Sequence, residues 1–199
     1  MKNANRNFTG GTSVAAPGIT VSRTLLTCLI VMVSMVFCGC DNSPSISDTD
    51  RKDPKKFTEF IVAEFAKGNF KPYEKYASLE RKDKLEKEAV MVRDRRREGN
   101  SQVRTSLEEL EESFKKAERE YGKVISYGVY SMTPSDKYAS SGREAMTVKY
   151  WIIREHFKVT ESDRRWLCSP KDSEEECKKK RVLGRFLVVK EHDGRWHIN

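Results

Sequence analysis

Beyond residue 40, chemistry would have to come from Cys168 and Cys177, from His156, His192 and His197, or from two basic runs. The two cysteines enclose the polar segment SPKDSEEE. Closing that loop would stabilise the fold by about 2.5–3 kcal/mol through entropy lost from the unfolded chain, so a structural disulfide is expected. The alternatives are a redox pair or two metal thiolates. Against both, the spacing is neither C-x-x-C nor that of a zinc site, and no histidine flanks either cysteine. A histidine metal centre needs at least three convergent ligands, and the spacing of the three histidines assembles none, so neither metal nor cofactor is expected. His156 could act as an acid or base if it pointed into the fold. Glu155 could not assist it, because neighbouring residues on a strand face opposite ways.

The basic runs are Arg93 with Arg95, Arg96 and Arg97, and Lys178, Lys179, Lys180 and Arg181. The first is interleaved with Asp94 and Glu98, and the second follows Glu174, Glu175 and Glu176 directly, so both read as solvated faces. Anionic phospholipid headgroups are the alternative partner, at up to about 1 kcal/mol for each basic residue near the surface. No glycine-rich phosphate loop, nucleophile elbow or H-E-x-x-H stretch occurs.

Whatever these residues do must be positioned by one modest domain. The chain has 199 residues, 37% of them hydrophobic and 34% charged, which excludes a polytopic membrane protein, a collagenous chain and a disulfide-dense miniprotein. The net charge is +8, but residues 1–40 hold Lys2, Arg6 and Arg23 and no acid, leaving a dispersed +5. That excess is too small for a dedicated nucleic-acid face, and no nucleic-acid partner is expected.

From Thr24 to Gly39 runs TLLTCLIVMVSMVFCG, uncharged and preceded by Arg23. Sixteen helical residues reach roughly 24 Å, short of a hydrocarbon core of ~30 Å, so the run suits a secretory signal better than a membrane span. It ends Phe37-Cys38-Gly39-Cys40-Asp41. This ending resembles the lipobox of bacterial lipoprotein signal peptides, with Gly39 as the small residue before the cysteine, although Phe37 and Cys38 depart from the commonest residues. The resemblance implies cleavage before Cys40, acylation of its thiol, and a mature protein held on the membrane facing outward. An uncleaved single-span anchor is the alternative. Asp41 resembles an inner-membrane retention signal, which implies the periplasmic face of the cytoplasmic membrane in a bacterium with two membranes. An oxidising compartment also suits the Cys168–Cys177 pair.

The expected organisation is a signal peptide over 1–39, the acylated cysteine and a flexible tether over 40–54, and a folded domain over 55–199. Asp53-Pro54 predicts a helix start, with Phe57, Phe60, Ile61 and Phe65 on one face and Gly68 as the stop. A short helix over 72–79 should turn Tyr73, Tyr76 and Leu79 inward, and Leu85, Ala89 and Val92 form a thin apolar stripe before Gly99. Val103, Leu107, Leu110, Phe114, Ala117 and Tyr121 define the clearest helix, with Ser106 and Glu109 as its capping box.

Strands are expected over 123–132, 143–159, 182–191 and 195–198, the second either bulged or buried on both sides and the last two joined through His192-Asp193-Gly194. Helices followed by antiparallel strands give an α+β fold. The order resembles the nuclear-transport-factor-2-like, or cystatin-like, roll, notably in Lys67-Gly68-Asn69, Tyr121-Gly122-Lys123 and the ending Asp193-Gly194-Arg195-Trp196-His197-Ile198. That resemblance implies N-terminal helices packed on a curved antiparallel sheet of about four strands. Its members include both non-catalytic envelope proteins and cone-pocket enzymes. The expectation is a non-catalytic binding or interaction module that meets the membrane through its lipid anchor and an envelope protein through the concave sheet face, lined by some of Tyr127, Tyr150, Trp151 and Trp166. The rival is an isomerase- or hydrolase-like enzyme using His156. An exposed Leu107–Leu110–Phe114 stripe would instead mark a helical docking face.

Overall fold

The Asp53 carboxylate accepts hydrogen bonds from the Lys55 and Lys56 amides at 2.8 and 3.3 Å, and Pro54 supplies the first helical residue, so helix α1 runs Pro54–Ala66. These details belong to a computed structural model, which describes residues 44–199. Phe57, Ile61 and Phe65 line one face of α1 and are at most 4% exposed. The buried Glu64 carboxylate accepts from Lys67 Nζ and Asn69 Nδ2, and Gly68 turns the chain at φ +74°. A side chain at Gly68 would meet the Phe114 ring at 2.7 Å, so glycine is also needed for close approach.

Helix α2 is shorter than the sequence implies, Lys71–Lys75, because Tyr76 to Ser78 straightens along the end of the sheet. Ala77 forms a parallel bridge with Ile198, flanked by Ser78 N–H to Ile198 O at 2.7 Å and Ile198 N–H to Tyr76 O at 2.8 Å. Ser78 then caps helix α3, Leu79–Arg97. Leu79, expected inward, is therefore the first residue of a new helix and is 72% exposed. Of the expected α3 stripe only Val92 is buried. The Glu88 carboxylate accepts from both the Ser106 amide and hydroxyl, tying α3 to helix α4, Ser106–Tyr121. The capping box lies one residue earlier than expected, at Thr105 and Glu108. Leu107 and Phe114 pack on the core while Leu110 faces solvent, so the stripe is largely covered from within.

Strands β1 (Val124–Pro134), β2 (Ala145–Arg154), β3 (Leu183–Lys190) and β4 (Trp196–Ile198) form one antiparallel sheet in the order β1-β2-β3-β4, which makes the fold α+β. The register shifts fall in β1, at Ile125 and Tyr130, while β2 is buried on both sides, at Val148 and Ile153, the second of the two alternatives expected for it. The long strand expected to reach Val159 stops at Arg154. The amides of Glu155 and His156 still donate to the Lys123 and Tyr121 carbonyls, but Phe157 N–H closes a turn onto Arg154 O. Arg154 fastens this corner: its buried guanidinium donates to the Gly122 and Phe114 carbonyls and stacks 4.2 Å from the Phe114 ring centre.

The side of the sheet facing α1 is filled. Phe57, Ile61, Phe65, Phe70, Tyr76, Val148, Val188, Trp196 and Ile198 form its centre, with Tyr150, Ile152 and Phe186 packed against them. Each fully buried aliphatic or aromatic side chain here contributes roughly 1.5–3 kcal/mol. The other side is covered in part by Tyr138 against Ala145 and Val189, and in part, where the sequence suggests only a loop, by helix α6 (Glu174–Arg181), which packs on β2 and against helix α5 (Glu161–Leu167). Both start at capping boxes, Thr160 with Asp163 and Ser173 with Glu176. Cys177 on α6 is 2% exposed, and Lys179 sits 4.9 Å from the Trp151 ring centre on β2.

Candidate functional site

Two constellations survive once the core is accounted for: a polar seam at the N-terminal edge of the domain and an exposed tip on the α5–α6 hairpin. The seam occupies residues 46–53, which were expected to be tether. Ile46 packs on the core and its amide donates to the Tyr76 hydroxyl at 3.2 Å. Asp50–Lys52 forms a 3-10 turn that buries Arg51. The Arg51 guanidinium stacks 4.9 Å from the Tyr76 ring centre, and its Nη2 donates to the Trp196 carbonyl at 3.3 Å and contacts His197 Nε2 at 3.0 Å. Its Nε–H is buried with no acceptor among the described residues.

Charge surrounds this contact from the turn of the final hairpin and from Asp48 in the N-terminal segment. Asp193 Oδ2 lies 3.5 Å from His197 Nε2 and 2.7 Å from Arg195 Nε, while Asp48 joins Arg195 at 2.8 Å and Arg51 at 3.7 Å. Burial would raise the Asp193 carboxyl, yet the Arg195 amide and guanidinium and the His197 ring hold it near about 2. The His197 imidazole moves below its ordinary value, first through burial and then through the Arg51 charge, against the opposing pull of Asp193 and the Ala77 carbonyl.

The pH consequence has a definite sign. In the unfolded chain the ring takes a proton as pH falls through about 6.5, whereas in the fold it resists protonation to a lower pH. The stabilisation is therefore complete above that unfolded value and is lost as pH falls through the depressed folded one. Denaturant midpoints measured from neutral pH downward should fall in the wild type and stay flatter in His197→Gln. Parallel profiles would remove His197 as the cause.

On the other constellation, Cys168 and Cys177 stand at disulfide distance, with Cα atoms 5.5 Å apart. Both sulfurs and the Asp172 carboxylate lie within 4.8 Å of one another. Asp172 is already bound by Lys180 Nζ and the Ser169 amide, each at 2.5 Å, and its carboxyl is lowered chiefly by that lysine. A tetrahedral metal would need a fourth ligand, which the described residues do not bring to the cluster. Within the basic run of α6, Lys178 pairs with Glu174, Lys179 with Glu175, Lys180 with Asp172 and Arg181 with Asp163. Arg96 of the other run pairs with Glu108 at 2.6 Å. The α6 run is thus balanced by acids, whereas in the other run only Arg96 has a carboxylate partner among the described residues, and it is Glu108 and not the interleaved Asp94 or Glu98.

The four aromatics from which the lining of the concave face was expected to come are not together. Tyr150 belongs to the filled interior, where burial raises its phenol, and Trp151 lies on the opposite side of β2 beneath Lys179. Tyr127 is 46% exposed, and Trp166 projects from α5 at 79% exposed. The concave face is occupied by the core and cannot serve as the binding surface. His156 is exposed in the turn after β2, and Glu155 is engaged with the Lys123 amide, so the pair does not enter the interior. A concavity of about 680 Å³ runs along the outward face of α3 past Val90 and Met91 and is lined by no histidine. Cys40, Asp41 and the apolar run before them lie outside the described residues, within which no helix is long and apolar enough to cross a membrane. No protein-family model, curated protein or solved structure matches this chain.

Proposed function

We propose that this chain is a bacterial lipoprotein, acylated at Cys40, whose single extracytoplasmic domain works as a non-catalytic interaction module in the cell envelope. The observation that carries the reading of the domain is its interior: aromatic and aliphatic side chains fill the space beneath the sheet where a roll-type enzyme would hold its acid and base. A closed interior leaves the exterior to do the work, and the exposed apolar residues Ile125, Tyr127, Tyr130, Trp166 and Leu167 supply surface for contact. Support for the anchor comes from Arg23, the uncharged run after it and Gly39-Cys40. Asp41 adds retention at the inner membrane in a bacterium with two membranes. The cystatin-like order of helices and strands is part of the same proposal, as is a structural Cys168–Cys177 disulfide formed in an oxidising compartment.

The anchor has a direct test. Cells grown with labelled palmitate should incorporate it into the wild type and sediment the protein with membranes. Cys40→Ala should lose the label and change its fractionation. An unlabelled wild type that fractionates exactly as the variant does would end the lipoprotein reading.

A further inference from the structure

The three tryptophans differ sharply in environment. Trp196 is 1% exposed, Trp151 lies under Lys179, and Trp166 stands 79% exposed beside Leu167, itself 45% exposed. A tryptophan left in water on a braced hairpin lacks a partner, and its indole suits the headgroup level of a bilayer, where an apolar body and a polar N–H are both accommodated. The brace keeps it from folding back: Cys168 faces Cys177, Arg181 holds Asp163 at 2.7 Å, and Arg164 reaches Glu174 at 3.6 Å.

Charge points the same way. Asp163 and Glu176 are spent on capping boxes, Asp172 on Lys180, and Glu174 and Glu175 on the lysines of α6. Arg165 and Lys171, on either side of Trp166-Leu167, have no carboxylate partner among the described residues. The remaining acid, Glu161, is at the far end of α5. We infer that this tip, Trp166 and Leu167 between Arg165 and Lys171, docks onto an anionic lipid surface. The inference rests on the anchoring proposed above, which places such a surface close by: five residues separate Cys40 from Ile46, a reach of about 20 Å at full extension.

Emission of the full-length chain with vesicles of brominated phosphatidylglycerol or brominated phosphatidylcholine tests the docking. Quenching is expected in the first and not in the second, and Trp166→Phe should remove it. Arg165→Gln with Lys171→Gln should weaken the contact by about 30-fold, the factor for two basic residues at a charged surface. Unchanged emission in phosphatidylglycerol, equal quenching in both lipids, or quenching that survives Trp166→Phe would overturn the inference, including in favour of an acidic protein partner. Palmitate content of the same preparation separates the two ideas. Quenching without palmitate would keep the tip and remove the anchor, and palmitate without quenching would do the reverse.

Discussion

Replacing Phe65 by alanine should destabilise the domain by about 3–5 kcal/mol, the cost of emptying a large aromatic site that cannot fully collapse. Phe65 is 4% exposed and is ringed by Phe70, Tyr73, Tyr150 and Phe186 at centroid distances of 5.2, 6.3, 6.1 and 5.9 Å. It joins α1 to both central strands, so its loss removes contacts between layers and not merely within one. For a domain of this size the thermal midpoint should drop by roughly 6–20 °C. Leu79→Ala, at a residue 72% exposed, is the matched comparison and should change stability by no more than about 0.5 kcal/mol. Denaturant unfolding of the two variants decides the matter. A Phe65→Ala midpoint within error of the wild type would mean that the interior is not packed as described, and the argument against a catalytic pocket would fall with it.

How far the sequence reveals this arrangement depends on the range of the interactions involved. Asp53-Pro54 and the spacing of Phe57, Ile61 and Phe65 are local signals, and helix α1 follows them closely. Strands β3 and β4 and the turn at Asp193-Gly194 are equally local. The seam is not. Arg51 and Ile46 sit among polar residues that look like tether, and the groups that bury Arg51 are Trp196 and His197, 145 and 146 residues away. A pattern read over a short window cannot see such a partner.

The hairpin over 161–181 fails for a different reason. Its capping boxes, Thr160 with Asp163 and Ser173 with Glu176, are legible, but helices of seven and eight residues lie below the length at which propensity sustains them. The proposed Cys168–Cys177 crosslink would supply part of what is missing, beside the packing of α6 on β2. Exposure is harder still to foresee: Trp151 is covered because α6, distant in sequence, passes over β2 and brings Lys179 onto its ring, whereas Trp166 on α5 stays in solvent.

The proposed crosslink makes reduction the second large perturbation. Cys168→Ser with Cys177→Ser should cost about 2.5–3 kcal/mol on the chain-entropy account. The loss should be local in origin, because the remaining braces are exposed ion pairs, such as Arg164 with Glu174, that contribute little individually. Without the crosslink, α5 and α6 should loosen from the sheet, uncovering Trp151 and Ile153 on the outer side of β2 while the aromatic interior beneath α1 stays closed. Amide exchange should therefore accelerate over residues 161–181 well before it does in α1. Wild-type protein treated with reductant should reproduce the double variant in both midpoint and exchange pattern. If the chain prepared without reductant yields free thiols at Cys168 and Cys177 on peptide mapping, or if reduction leaves exchange over the hairpin unchanged, the crosslink is not what holds these helices, and the platform beneath Trp166 rests on packing and ion pairs alone.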